Sequence, residues 1–453
     1  MKKLKPYSFG KDVGVVGFFG IGKSSLALLE LMPSDVKIVL RSEGKIKREL
    51  LPKGIPIIKI YEGEDAFSDI CEDILFLSPS VRRERAELLL AKERGVILSS
   101  DFELFLKEND KPLFAVSGSD GKSTTVTMLA ELLSEKYGDV GPIGNVGVPF
   151  CTALHKSGVS AHVAELSSFQ LQYSSPASYR AALTSITPNH LNWHSSFEEY
   201  AKTKLKLLEH SECPVVSLDR GILEGYARSH ATFALIDTER AYGELRGSFD
   251  SKVYFTLESG QILRNGEPII SIEQILRREE YNIKNLMTAI AMADGHTAKE
   301  RIISLAGSFR GLSHRCEPVC ERGGVKYIDS SIDTSPARTA KTLSALGERL
   351  IVILGGLGKG TSYDALREPL HRHAKEIVIT GKNRYEIAAA LGNDMPMRTE
   401  GDFKSAVELA ISMASPGDTV LLSPASTSFD AFSSYEERGD FFKRIVENHH
   451  ENI

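Results

Sequence analysis

Two glycine-rich loops that end in Gly-Lys-Ser constrain the fold of this chain more than any other feature. The first reads GFFGIGKS at residues 17–24 and matches the phosphate-loop pattern G-x-x-x-x-G-K-[ST] in full. The second reads GSDGKSTT at residues 118–125 and has Val116 in place of the first glycine. Each loop follows an apolar, strand-like run and opens a helix-like run. Both contexts predict backbone N–H groups gathered around a phosphate at a helix N-terminus.

Acidic side chains favour the second loop as the site of reacting ATP. A phosphate loop that performs chemistry needs Mg²⁺, and therefore an acid at the end of a neighbouring strand. After GSDGKSTT, the strand-like HVAE ends on Glu165, and the next strand runs into NHLNWH with His190. After GFFGIGKS, the corresponding strand DILFLSPS ends on Ser78 and Ser80. The fuller match to the pattern is thus the weaker ATP site.

The first loop leaves two interpretations open. It also keeps the first and last glycines of G-x-G-x-x-G, with Phe19 in the middle, but the strand KIVLRSEGK ends on Arg41 and Ser42 and lacks an acidic ribose ligand. NAD binding is therefore not supported. The loop either binds a diphosphate-containing ligand or is a plain turn whose Gly17 and Gly22 serve packing.

Composition narrows the class of protein. Of 453 residues, 42% are hydrophobic and 25% charged, which is typical of soluble globular proteins. The net charge of −5 gives no basic surface for nucleic acid. Apolar runs have only strand length, and the first residues lack a secretory apolar segment, so we expect a cytoplasmic protein without a membrane span. Five scattered cysteines suit a reducing compartment and lack zinc-site spacing.

Short β-rich runs alternate with helix-like stretches along the whole chain, which predicts an α/β fold with parallel sheets. The pattern falls into three blocks, which we place at residues 1–107, 108–309 and 310–453. The central block also contains a hairpin-like stretch, SKVYFTLESGQILRNGEPII.

Seven motifs occur in one order along the chain: GSDGKSTT, GNVGVP, ELSSFQL, NHLNWH, YAKTKLKLL, HRCE and LSPASTSFDAFSSYEERGDFF. In this order they resemble the Mur ligase family over all three blocks. The resemblance implies a Rossmann-like N-terminal domain that binds UDP, a central P-loop ATPase-like domain that binds ATP, and a Rossmann-like C-terminal domain that binds the incoming amino acid. DFELF at residues 101–105 and the last motif are most similar to the branch that adds D-glutamate.

The family activates a carboxylate with the γ-phosphate of ATP before an amine displaces the phosphate. The resemblance therefore implies an ATP-dependent amide ligase that adds D-glutamate to UDP-N-acetylmuramoyl-L-alanine in cytoplasmic peptidoglycan precursor synthesis, through an acyl phosphate. ATP is then the co-substrate and Mg²⁺ the cofactor, with two ions expected. The expected partners are small molecules only, without nucleic acid or membrane, and the expected state is a monomer.

The resemblance also assigns the reacting site. Lys122, His190 and Lys204 are the implied catalytic residues, and Lys204 stands where the family carries a carbamylated lysine; a surface helix rich in lysine is the other interpretation of YAKTKLKLL. The implied metal ligands are Ser123, Glu165, His190 and carbamylated Lys204. The implied ATP-binding residues are Gly118, Ser119, Asp120, Gly121, Lys122, Ser123, Thr124, Asn282, Asn285, Arg315 and Asp329.

The two other substrates have their own implied residues. Those for the UDP-sugar are Gly17, Gly20, Gly22, Lys23, Ser24, Asn145 and Ser167. Those for D-glutamate are Lys359, Ser428 and Tyr435. Three departures from the family pattern stand out: Tyr281 replaces a histidine, Leu357 replaces an aspartate, and DSSIDTSP at residues 329–336 replaces DSKATN and loses a lysine. Ser331 or another cation would have to compensate for that loss.

Three rival functions stay open from the sequence. A related ligase of the folylpolyglutamate type, or one specific for L-glutamate, shares the motifs. A P-loop kinase or GTPase would use GFFGIGKS for phosphoryl transfer. A catalytically silent UDP-sugar-binding protein would explain the missing lysine.

Overall fold

The computed structural model describes residues 13–191, 193–219, 221–347, 349–358, 360–392 and 394–449. These residues form a mixed α/β structure with three separate sheets, which confirms the predicted fold class. The chain divides into two compact units, with the boundary between Phe309 and Arg310. The first two sheets belong to the first unit and the third sheet to the second. The division into three domains stays a prediction.

The first sheet has five parallel strands in the order β3-β2-β1-β4-β5. Side chains alternate along these strands, so Phe18 packs into the core on one face and Phe19 into the core on the other. The strands are β1 (Val15–Phe19), β2 (Lys37–Ser42), β3 (Ile57–Glu62), β4 (Ile74–Leu77) and β5 (Ile97–Ser99). The helices are α1 (Lys23–Leu31), α2 (Ala86–Glu93) and α3 (Asp101–Glu108), with 3₁₀ turns at Arg48–Leu50 and Gly63–Phe67.

The second sheet has nine strands in the order β14-β13-β12-β11-β10-β9-β6-β8-β7. The predicted hairpin stretch forms its antiparallel edge, β12 to β14, and the other strands are parallel. Its strands are β6 (Leu113–Ser117), β7 (Pro142–Gly144), β8 (His162–Glu165), β9 (Ser178–Leu183), β10 (Ser211–Ser217), β11 (Thr232–Asp237), β12 (Ser251–Glu258), β13 (Gln261–Arg264) and β14 (Glu267–Ser271). Its helices are α4 (Lys122–Tyr137), α5 (Phe150–Ala153), α6 (Ser168–Tyr173), α7 (Phe197–Glu209), α8 (Ile222–Ser229), α9 (Tyr242–Leu245), α10 (Glu280–Met292) and α11 (Lys299–Ser308), with a 3₁₀ turn at Ile272–Gln274.

The third sheet has six strands in the order β15-β16-β20-β17-β18-β19, of which only β15 is antiparallel to its neighbour. Helices cover both faces, and each face has its own apolar core. The strands are β15 (Glu317–Arg322), β16 (Val325–Asp329), β17 (Leu350–Gly356), β18 (Ala374–Gly381), β19 (Met397–Thr399) and β20 (Thr419–Leu422). The helices are α12 (Pro336–Leu346), α13 (Arg367–His373), α14 (Arg384–Leu391), α15 (Phe403–Ser412) and α16 (Tyr435–His449), with a 3₁₀ turn at Asp364–Leu366.

Both glycine-rich loops join a buried strand to a helix at the carboxyl edge of a parallel sheet. GFFGIGKS joins β1 to α1, and GSDGKSTT joins β6 to α4. Ligands of α/β sheets bind at this edge, because loops and helix N-termini converge there. Within the part of the chain that the structure describes, no helix combines the length and the apolar character needed to cross a membrane.

Candidate functional site

The GSDGKSTT loop turns tightly around Gly121, which precedes α4. Gly121 has a φ of 81°, in the left-handed region that favours glycine. A Cβ atom at this position would lie 2.2 Å from Asn285 Oδ1, so the loop packs closely against α10. The N-terminus of α4 therefore opens beside a polar helix face that carries Asn285.

Two lysine side chains converge on one carbonyl oxygen of this loop. Lys122 Nζ donates to Gly118 O at 3.0 Å and to Ser119 O at 2.9 Å. Lys204 Nζ, from α7, donates to the same Gly118 O at 2.8 Å and to Ser117 Oγ at 3.0 Å. The structure thus brings both predicted catalytic lysines to the phosphate loop.

The Lys204 amine is buried, with the residue only 2% exposed. Burial is the main cause that lowers its pKa well below the ordinary lysine value, and the charge of Lys122 lowers it further, while Glu165 acts in the opposite direction. A surface position in a lysine-rich helix is therefore wrong for Lys204. Lys202 is exposed, as a surface helix predicts.

Glu165 lies at the end of β8, the strand beside β6. Parallel pairing sets Glu165 opposite Val116, two residues before the loop begins at Gly118. The carboxylate is buried; Oε1 accepts a hydrogen bond from Asn145 Nδ2 at 2.6 Å, and Oε2 has no hydrogen-bond partner among the described residues. Such an oxygen suits a hard cation, because Mg²⁺ prefers carboxylate and hydroxyl ligands.

His190 follows β9 with a φ of 53°, and its ring meets the Phe169 ring edge-on at 5.0 Å. Burial, then the charges of Lys204 and Lys122, lower its pKa. A neutral imidazole keeps a nitrogen lone pair that can bind a metal. The chemistry of Glu165, His190 and the Ser123 hydroxyl at the start of α4 fits a magnesium site at this loop.

The remaining residues predicted for ATP in the first unit differ in their surroundings. Ser119 is buried and its hydroxyl bonds Thr187 O and Tyr200 Oη, both at 2.9 Å, so it holds the loop in place. Asn282 Nδ2 donates to Glu279 Oε2 at 3.0 Å. Asp120 is exposed, Gly118 is buried and its carbonyl oxygen accepts from both lysines, and Ser123 and Thr124 are half-buried in the first turn of α4.

In the second unit, Asp329 is fully buried at the end of β16. Its Oδ2 accepts from His314 Nδ1 at 2.7 Å and its Oδ1 from Ser331 N at 2.8 Å. Glu317 completes a group of ligand-type atoms within 4.8 Å of one another, but Lys443 Nζ already lies 2.7 Å from Glu317 Oε2. The group is a closed network of ion pairs and hydrogen bonds. Burial lowers the pKa of His314, but the hydrogen bond and charge of Asp329 raise it above the ordinary value.

Ser331, which stands in place of the lost lysine, contacts a buried arginine. Arg438 is 1% exposed; its Nε donates to Ser331 Oγ at 3.0 Å and its Nη2 to Ser331 O at 2.8 Å. Ser331 Oγ in turn donates to Tyr435 O at 2.8 Å. Burial lowers the pKa of Arg438 to about 10 and raises that of Tyr435 to about 12.

Ser428, which the resemblance predicts for D-glutamate, is buried in the segment that follows β20.

The structure does not assign Lys359 or Arg315, two residues predicted by the resemblance, to a substrate site. Lys359 lies outside the described residues. Arg315 lies in the turn before β15, where its N–H donates to Leu312 O at 3.3 Å.

A cavity of about 260 Å³ lies beside the first glycine-rich loop, inside the first unit. Of the residues predicted for the UDP-sugar, its wall contains Gly22, Lys23, Ser24 and Asn145. Lys23 Nζ donates to Gly147 O at 2.9 Å and so joins α1 to the loop after β7. The structure therefore brings these predicted residues of the first two blocks together.

The other residues predicted for the UDP-sugar serve local structure. A Cβ at Gly17 would lie 2.6 Å from Leu75 Cδ1, and one at Gly20 would lie 2.7 Å from Ser78 Cβ, so both glycines allow close packing. Ser167 caps α6 in a reciprocal capping box with Gln170. Gln170 itself lines the cavity.

Sequence reasoning missed two cavity residues, Asp101 and Gln170. Asp101 begins α3 and Gln170 lies in the first turn of α6. Both sit inside the motifs DFELF and ELSSFQL, but only the fold shows that they line this cavity.

The fold and the site define an α/β protein with a nucleotide-type phosphate loop flanked by a buried lysine and an acidic strand end. Family models match at two places: the Mur ligase middle domain over residues 116–293, and the Mur ligase, glutamate ligase domain over residues 314–426. The chain is 33% identical to a UDP-N-acetylmuramoylalanine–D-glutamate ligase of Ruminiclostridium cellulolyticum, covering 97% of this chain and 98% of the relative. It is 34% identical to the enzyme of the same name from Acetivibrio thermocellus, covering 98% and 97%.

Solved structures agree in fold. A UDP-N-acetylmuramate-alanine ligase from Thermotoga maritima has a TM-score of 0.58 at 19% identity, with 97% of this chain and 99% of that chain covered. A MurF ligase from the same organism, solved with ADP, has a TM-score of 0.51 at 15% identity and covers 99% and 98%. The chain belongs to the Mur ligase family, and the family resemblance read from the seven motifs is confirmed.

Proposed function

We propose that this protein is an ATP-dependent amide ligase that adds D-glutamate to UDP-N-acetylmuramoyl-L-alanine, acting as a cytoplasmic monomer in peptidoglycan precursor synthesis. The relatives of that name, at 33% and 34% identity over nearly the whole chain, support the substrates. The observation that carries the chemistry is the convergence of Lys122 and Lys204 on Gly118 O beside the half-satisfied Glu165 carboxylate.

The residues of the loop provide the charge stabilisation that phosphoryl transfer needs. Backbone N–H groups at the start of α4 face the phosphates, and the Lys122 ammonium balances the negative charge that moves onto the bridging oxygen. The γ-phosphoryl group passes from ATP to the carboxylate of the alanyl residue, which yields ADP and an acyl phosphate. The amine of D-glutamate then attacks the acyl carbon, phosphate leaves, and the nitrogen loses a proton.

Magnesium would be held by Ser123, Glu165 and His190, and when bound it would neutralise phosphate charge and align the carboxylate with it. Asn145 orients Glu165 by donating to Oε1, which leaves Oε2 for the ion. The lowered pKa of Lys204 supports its carbamylation, because only the neutral amine attacks carbon dioxide. Carbamylation would convert the buried amine into an anion beside the metal ligands.

ATP and D-glutamate recognition also use residues predicted by resemblance. Asn282 and Asn285 on α10 would contact the base, and Arg315 and Asp329 the phosphate and the ribose region. Lys359, Ser428 and Tyr435 would contact the D-glutamate. Support for these assignments comes from the family alone.

A coupled assay of phosphate release tests the proposal. Purified protein with ATP, Mg²⁺ and UDP-N-acetylmuramoyl-L-alanine should release phosphate when D-glutamate is present, and not with L-glutamate or with folate as acceptor. Release with L-glutamate or folate would instead identify one of the related ligases. Tight binding of the UDP-sugar without any turnover would identify a catalytically silent binding protein.

A further inference from the structure

Asp101 forms part of the cavity wall beside the GFFGIGKS loop, and its chemistry is not used by the functions described above. It is the first residue of α3, is 6% exposed, and lines the cavity together with Ser24 and Asn145. Its helix begins after Ser100, whose hydroxyl caps Glu103 N, so the helix start does not depend on the Asp101 side chain as its cap.

The Asp101 carboxylate has a few polar neighbours inside the protein. The Ser24 hydroxyl and the backbone N–H groups of Phe102 and Phe150 interact with the carboxylate and stabilise its charge. Oδ2 is buried and has no hydrogen-bond partner among the described residues. Burial raises the pKa of Asp101, against the effect of these hydrogen bonds. A buried carboxylate oxygen without a donor is costly, so a ligand in the cavity that donates a hydrogen bond to this carboxylate would offset part of that cost.

The charge of Asp101 decides which part of a ligand can lie against it. The cavity wall also contains Gly22 and Lys23 at the start of α1, where N–H groups and an ammonium favour phosphate. A phosphate against Asp101 would bring two anions together without a cation between them. The carboxylate instead matches a neutral donor, which is a hydroxyl or an amide N–H.

We propose that the Asp101 carboxylate accepts a hydrogen bond from a hydroxyl or amide N–H group in the sugar-peptide part of the acceptor substrate. Asp101 is then a specificity-determining residue, since it distinguishes the complete UDP-sugar-peptide from UDP alone. The identity of the acceptor rests on the proposed function; the hydrogen-bond chemistry rests on the cavity.

The Asp101→Asn variant tests this hydrogen bond with almost no change in shape. If the amide oxygen takes over the backbone N–H donors of Phe102 and Phe150, the NH₂ group replaces the second acceptor and opposes the donor of the substrate. We expect the KM for UDP-N-acetylmuramoyl-L-alanine to rise about tenfold or more, with kcat and the KM values for ATP and D-glutamate within about twofold of wild type. Calorimetric titration should show the same affinity for UDP alone.

Glu103→Gln is the matched control, because Glu103 lies on the same helix but pairs with Arg83 away from the cavity wall. It should leave the KM for the acceptor unchanged. If Asp101→Asn does not fold, Asp101→Ser removes the carboxylate, retains a small polar residue at the helix start, and should give the same selective rise in KM.

The outcomes separate this inference from the proposed function. An acceptor KM that is equal in wild type and in a folded Asp101 variant, or an equal loss of affinity for UDP alone, overturns the role of Asp101 while the ligase activity stands. Wild-type protein that neither binds the acceptor nor releases phosphate overturns the proposed function and the acceptor identity with it.

Discussion

The two Gly-Lys-Ser loops both join a parallel strand to a helix, but they differ in backbone conformation before the helix, with φ of −108° at Gly22 and 81° at Gly121, and in their neighbours. Beside GFFGIGKS, the neighbouring strand β4 ends at Leu77 and is followed by Ser78, and the buried charges of this sheet, Arg41 and Glu72, form a closed ion pair at 2.7 Å. Beside GSDGKSTT, the neighbouring strand β8 ends on Glu165, whose second oxygen is unpaired among the described residues. Asp101, beside GFFGIGKS, also has a buried oxygen without a partner among the described residues, but it begins helix α3, whereas Glu165 ends the strand that pairs with β6 and so lies next to the strand that leads into GSDGKSTT.

The largest expected effect is on turnover and separates the two loop lysines. Lys122→Ala should lower kcat for phosphate release about 10³-fold, because it removes the cation that balances the transferring phosphate. Lys23→Ala should leave kcat within about threefold and act mainly on the KM for the UDP-sugar. Steady-state kinetics of both variants measure the contrast, and the reverse pattern would make GFFGIGKS the reacting loop.

The next effect is on stability and tests the closed ion pair. Glu72→Gln leaves the Arg41 guanidinium buried against neutral groups only, and should lower the free energy of unfolding by about 3 kcal/mol. Urea unfolding of wild type and variant measures this loss of stability. The folded variant should keep the Mg²⁺ dependence of wild type, since the pair lies in the first sheet. A change in that dependence would contradict a purely structural role.

Acid should destabilise the strand that carries Glu165. His162 begins β8, and burial, aided by Lys111 and opposed by Asp110, lowers its pKa to about 4. Below pH 6.5 the unfolded chain binds a proton at residue 162 that the folded protein does not bind. The stability of the folded protein is therefore complete above pH 6.5, and the free energy of unfolding decreases as the pH falls toward 4. The free energy of unfolding decreases by about 3 kcal/mol at most through this titration.

Urea unfolding of wild type and His162→Phe between pH 7 and 4 isolates this contribution. The variant cannot titrate at position 162, and its ring can keep the contact with Phe105, which lies 5.2 Å from the His162 ring. Its free energy of unfolding should fall less steeply with acid than that of wild type. Identical slopes would remove His162 as the cause.

A smaller effect distinguishes Glu165 from other buried acids. Glu165→Gln keeps the shape and the contact with Asn145 but removes the charge from the free oxygen. We expect the Mg²⁺ concentration for half-maximal activity to rise roughly tenfold, and titration of activity with Mg²⁺ measures it. An unchanged Mg²⁺ dependence would show that the ion binds elsewhere.

Much of this organisation could be predicted from sequence because strands, turns and motif order are local signals. The α/β class and the position of Glu165 beside the Lys122 loop follow from strand-to-helix turns on parallel strands, and the hairpin follows from its own stretch of sequence. The role of Lys204 was implied by the family motif alone. The Asp101 contact could not be predicted, because it depends on how α1, α3 and α5 meet in space. The same limit applies to Arg438, whose contact with Ser331 joins residues 107 positions apart.

The smallest effect separates the glycines of the first loop by role. Gly20 has a φ of 83°, and an added Cβ would lie 2.7 Å from Ser78 Cβ, so Gly20→Ala should cost about 1 to 2 kcal/mol of stability. Gly22 is the matched control: its φ is −108° and an added Cβ would meet nothing within 4 Å. Gly22→Ala should keep the stability of wild type and weaken UDP-sugar binding, because its methyl group would enter the cavity. Equal stability losses in the two variants would assign the whole loop to packing and remove the diphosphate site from it.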